Sequence, residues 1–71
     1  MDGMKAKAIR YFLEESQEKF AKRIGVAAST ICAIEKNQRD ITDYIRAKLV
    51  RIEAGLPEEF DLFYDGFRKS V

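Results

Sequence analysis

The chain has 71 residues and a mass of 8.2 kDa, which suits a single domain over residues 1–71. Hydrophobic residues make up 46% and charged residues 35%, a balance that excludes a disordered polar chain. With no histidine and one cysteine, Cys32, the chain has no histidine-based triad, no internal disulfide and no cysteine-rich zinc site. The longest uncharged apolar runs, such as residues 25–34, are about half of what a bilayer span needs, so neither a membrane segment nor a signal peptide is expected. The net charge of +1 is unevenly spread. Residues 1–54 hold 11 Lys/Arg against 8 Asp/Glu, or +3, and residues 55–71 carry −2. A basic body with an acidic end segment suits contact with a polyanion, and a solvated surface with chance asymmetry accounts for it too.

The periodicity is helical throughout. Residues 4–15 place Ile9, Phe12 and Leu13 between charges, which predicts a first amphipathic helix. Ser16 can cap the free N–H groups of a second helix, with Glu18 near its positive end. That helix carries Phe20, Ala21 and Ile24, and Gly25 can end it. A third helix is expected over roughly residues 28–36, with Ile31 and Ile34 on one face and Asn37 as its stop. Asp40 or Thr42 can cap a fourth helix, lined by Tyr44, Ile45, Leu49 and Ile52 and closed by Gly55. A fifth helix is expected over about residues 57–69. Pro57 suits its first turn, and Phe60, Phe63, Tyr64 and Phe67 form a stripe at i, i+3, i+4 and i+7.

Residues 17–36 carry the most specific pattern. Two short helices crossing steeply need a residue in the turn that tolerates positive φ, a small side chain at their contact, and apolar residues inward from both. Gly25, Ala21 and the set Phe20, Ile24, Val26, Ile31 and Ile34 meet these needs. The pattern is that of a helix-turn-helix, and an ordinary helical hairpin in a small bundle shares most of it.

Residues 16–26 (Ser-Gln-Glu-Lys-Phe-Ala-Lys-Arg-Ile-Gly-Val) resemble the second helix and turn of the phage repressor and Cro family, also called XRE-like. Residues 27–37 (Ala-Ala-Ser-Thr-Ile-Cys-Ala-Ile-Glu-Lys-Asn) resemble its recognition helix, and the likeness runs from about Arg10 to Ile52. It implies an all-α fold, a compact four- to five-helix bundle of lambda-repressor-like type. It also implies a non-enzymatic transcriptional regulator of phage or prophage origin, without a cofactor. Its partner would be the major groove of double-stranded DNA, bound as a homodimer in the bacterial cytoplasm and nucleoid.

The resemblance assigns roles residue by residue. Gln17 would hold a phosphate at the start of the second helix, where free N–H groups favour an anion. Ala27, Ala28, Ser29 and Ala33 would face bases, with Thr30 beside them. Many relatives carry Gln, Arg or Asn at such positions, so these alanines leave thin direct readout. Either DNA shape and phosphate contacts supply specificity, or the alanine-rich surface packs against a regulatory protein partner, as in an antirepressor or antitoxin-like module. Lys36, Asn37, Gln38 and Arg39 would meet the DNA backbone, although such a polar run is also an ordinary solvated turn. Arg10 and Glu35 match a structural ion pair of the family. Cys32 reads as a structural thiol. The adjacent pairs Glu14–Glu15 and Glu58–Glu59 point apart on a helix, which argues against acid/base catalysis. The aromatic stripe of Phe60, Phe63, Tyr64 and Phe67 suits two uses together: some rings fold back as core, and Phe63 or Phe67 meets its copy across a two-fold axis.

Overall fold

A computed structural model describes residues 1–70. Those residues form five helices and no strand: α1 (Gly3–Phe12), α2 (Gln17–Ile24), α3 (Ala28–Glu35), α4 (Asp43–Ala54) and α5 (Glu59–Ser70). Side chains cap three of the helix starts. Asp2 Oδ1 accepts from the Lys5 N–H at 2.9 Å, Ser16 Oγ from Lys19 at 3.1 Å and Thr42 Oγ1 from Ile45 at 3.3 Å. Thr42, not Asp40, is the α4 cap. Ala27 occupies the α3 cap position with no side-chain bond.

Each of the first three helices ends on a left-handed residue: Glu14 (φ 57°), Gly25 (φ 92°) and Asn37 (φ 57°). The backbone closes over each end in the same way. Glu15, Val26 and Gln38 donate their N–H groups to the carbonyls of Arg10, Ala21 and Ala33, five residues back. Glycine and asparagine tolerate this conformation, whereas a glutamate carries a steric penalty there. The expected first helix over residues 4–15 therefore ends three residues early, at Phe12.

The core is built from Ile9, Phe20, Ile24, Ile34 and Leu49, all fully buried, joined by Ala6, Ala8, Ala21, Ile31, Ile45 and Phe60. Helix α1 packs on both α5 and α3, and α2 packs on α3 and α4. One expected core position does not hold: Tyr44 is 55% exposed. It lies over the α2–α3 turn, where its hydroxyl donates to the Ile24 carbonyl at 3.3 Å. The aromatic stripe folds back on the body. Phe60 is 2% exposed, and Phe63, Tyr64 and Phe67 pack partly buried against the core. Phe12 meets Phe60 and Phe63 edge-on at 5.4 and 5.3 Å, and Tyr11 meets Phe67 at 5.2 Å. Phe60 is thus taken up by the core, while Phe63, Tyr64 and Phe67 keep part of their surface in solvent. On the opposite face of α5, Leu62 stands 79% exposed. No helix among the described residues is long and apolar enough to cross a membrane.

The sequence did not single out Gly3, yet its position admits no side chain. A Cβ there would sit 2.2 Å from the Ile34 carbonyl oxygen and 2.9 Å from Asn37 Oδ1. The start of α1 is thereby seated against the end of α3. Because the obstacle is backbone, Gly3→Ala should lower unfolding stability by about 1–3 kcal/mol despite alanine's better helix propensity. A denaturant titration that finds the variant equal to or above wild type would refute this close approach.

Candidate nucleic-acid interface

The surface of residues 27–39 is shaped by what happens to its one acid. Glu35 ends α3 and turns inward, its side chain only 4% exposed. Arg10 of α1 meets it fork to fork, with Nε to Oε2 at 2.7 Å and Nη2 to Oε1 at 2.9 Å. Gln17 Nε2 adds a third donor to Oε1 at 3.2 Å. Arg10 Nη1 also donates to the Glu15 carbonyl at 2.9 Å. One guanidinium therefore ties together the end of α1, the turn before α2 and the end of α3. The hydrogen bond to Glu35 raises the basicity of Arg10 further, against the opposing effect of burial.

A second buried acid lies in the same turn. Glu15 has a side chain 3% exposed and sits in the fork of Arg23 from α2. Arg23 Nε donates to Oε1 at 3.0 Å, and Nη2 donates to Oε2. Arg23 itself is 45% exposed, so this pair has one buried and one solvated end. Its hydrogen bonds hold the Glu15 carboxyl below the ordinary 4.5, outweighing burial, with the charges of Arg23 and Lys19 assisting. Sequence reasoning missed this pair. Its residues are eight apart across a turn, and no helical periodicity couples them.

With both acids withdrawn, the outward side of α3 and the turn after it carry no exposed carboxylate from Ala27 to Arg39. Ala27, Ser29, Lys36, Asn37, Gln38 and Arg39 are exposed, and Thr30 and Ala33 are half-buried at the rim of this face. Neither Lys36 nor Arg39 enters an ion pair among the described residues. Two contacts knit the expected positions together: Gln17 reaches the end of α3 at Glu35, and Arg39 Nη1 reaches Thr30 Oγ1 at 3.4 Å. Ala28 is half-buried, as Thr30 and Ala33 are, and part of its surface packs against the hydrophobic core one turn before Ile31. Gln17 differs from expectation, since its amide donates inward to Glu35 and leaves one N–H for a phosphate.

An open recess of about 400 Å³ adjoins this face between the starts of α1 and α4. Arg39 and Arg46 line it together with Asp2 and Asp40, so the charges alternate and no concentrated positive field forms there. Comparison with protein-family models, with curated proteins and with solved structures finds no match for the chain.

Removing one partner of the inner pair leaves a charge buried without compensation. Glu35→Ala should therefore cost about 2–4 kcal/mol of stability, read from the denaturant midpoint. An unchanged midpoint would mean that the pair is exposed in solution. For Glu15, a carboxyl depressed in the folded state contributes stability above the unfolded value, and this is lost as pH falls through the folded one. Thermal midpoints should accordingly fall below about pH 4.5, and more steeply in wild type than in Arg23→Gln. Parallel acid curves for the two proteins would remove Glu15 as the responsible group.

Proposed function

We propose that the chain is a DNA-binding domain of helix-turn-helix type, similar to the phage repressor and Cro family, that regulates transcription by placing α3 in the major groove of operator DNA. One observation carries the reading: Glu35 is drawn under Arg10. The only acid between Ala27 and Arg39 is thereby removed from a face on which Lys36 and Arg39 have no ionic partner among the described residues. A surface that must approach a phosphate backbone gains from such removal, because an exposed carboxylate on it would repel the DNA. The joint between α2 and α3 supports the same reading. Gly25 at φ 92° turns the chain sharply, and Ala21 lets the helices approach.

In this reading Ser29 and Thr30 offer hydroxyls to base edges, and the Ala27 and Ala33 methyls suit contact with thymine methyls. Lys36 and Asn37 take phosphates, with the remaining Gln17 N–H at the start of α2. A two-fold site calls for a homodimer, and the half-exposed Phe63 and Phe67 of α5, with exposed Leu62 on the same helix, are the candidates for its contact. The small side chains on α3 also favour a second reading, in which that face packs against a protein partner.

Fluorescence anisotropy with random and selected duplexes separates the two readings. If about two or three phosphates are neutralised, affinity should fall roughly 10–40-fold between 50 and 200 mM salt. Lys36→Ala should weaken all duplexes alike and flatten the salt slope by about one. A folded protein that binds no duplex at low salt would refute the DNA reading and leave the protein partner.

A further inference from the structure

The face proposed for DNA has an odd composition. Its helical positions supply hydroxyls and methyls but no side chain able to make two parallel bonds to a base. One such group does reach α3, from outside the helix. Arg39 leaves the turn after α3 and brings Nη1 to 3.4 Å from Thr30 Oγ1, on the flank of the outward face. That contact occupies one of the five N–H donors of the guanidinium. Nε and Nη2, which form the straight edge of the fork, make no hydrogen bond and no ion pair among the described residues. A guanidinium held by one corner with its edge open is suited to bidentate contact with the O6 and N7 acceptors of guanine.

We infer that Arg39, steadied by Thr30, reads a guanine in the major groove and is the principal specificity-determining residue of this face. The inference rests on the DNA reading and changes two parts of it, since Arg39 moves from the phosphate backbone to a base edge and Thr30 from a base contact to the support of Arg39. The physical reason is reach and restraint. A free arginine at a turn meets whichever phosphate is near, whereas one tethered to the helix flank is carried into the groove with the helix. Thr30 in turn acts as a positioning residue, with its hydroxyl turned to Arg39.

Enrichment of duplexes from a random pool, followed by titration of the enriched duplex and its single-base variants, tests this with the full chain. Arg39→Lys keeps the positive charge and loses the planar fork, so it separates the two roles. Wild type should prefer guanine at one position by about 10–100-fold. Arg39→Lys should erase that preference while its affinity for random duplex stays within about threefold and its salt slope is unchanged. Thr30→Val, which removes only the hydroxyl, should weaken the same preference without shifting it to another position. Arg39 is exposed, so its variants should keep the wild-type melting temperature. If Arg39→Lys enriches the same sequence with the same guanine preference, or if Arg39→Ala weakens every duplex equally, Arg39 is a phosphate contact and the inference fails while the DNA reading stands. A wild type that binds no duplex overturns the DNA reading and this inference with it.

Discussion

The Arg10 guanidinium is the joint on which the arrangement of the first three helices depends. Its three nitrogens reach Glu35 twice and the Glu15 carbonyl once, so three separate segments meet at one rigid planar group. Taking both charges out of water is expensive, and fork-to-fork geometry with an added bond from Gln17 offsets that penalty. The net contribution to stability is accordingly modest, while the directional demand is strict. A bidentate pair forms at one relative orientation of α1 and α3, and both helices must adopt it. The Tyr11 ring, 4.8 Å from the Arg10 guanidinium carbon, closes one side of the group.

The same contact decides the electrostatics of the surface. A segment of thirteen residues with one acid and two bases presents only the bases, because the acid is turned inward. Glu15 repeats the device in the turn between α1 and α2, under Arg23, with the base left half in solvent. Two carboxylates are thus absorbed into the body, Glu35 on the last turn of α3 and Glu15 just after the left-handed Glu14 that follows α1. The proposed DNA contact rests on this sorting of charge far more than on the net charge of +1, which by itself says nothing.

On the other side of the molecule, α5 completes the core. An 8.2 kDa chain has little apolar surface to bury, and the rings of Phe60, Phe63, Tyr64 and Phe67 supply a large share of it against α1. Lys5 bridges that side, pairing with Glu53 of α4 at 2.7 Å and lying 5.4 Å from the Tyr64 ring. Of the apolar residues of α5, Leu62 stands furthest outward, among charged neighbours.

Much of the fold was legible because its signals are local. A 3.6-residue period shows which residues of α2 to α5 turn inward. A Ser or Thr cap acts over three residues, and a glycine or asparagine that tolerates positive φ is visible as itself at Gly25 and Asn37. The Arg10–Glu35 contact came from family resemblance, not from pattern, since nothing in periodicity links residues 25 apart. What the tertiary structure decided was every choice between competing partners. The glutamate at position 14 takes a conformation it disfavours, because the turn then delivers Glu15 to Arg23. Gly3 must be glycine because another helix's carbonyl occupies the space of its side chain. Phe60 became core, and Phe63, Tyr64, Phe67 and Ala28 were covered in part, because α1 and the body of the bundle were there to meet them. By itself the sequence determined the helices, several of their caps and their apolar faces, since those depend on neighbours within about four residues. Which surface each face meets, and which charges stay in water, depends on segments brought together only when the chain is packed.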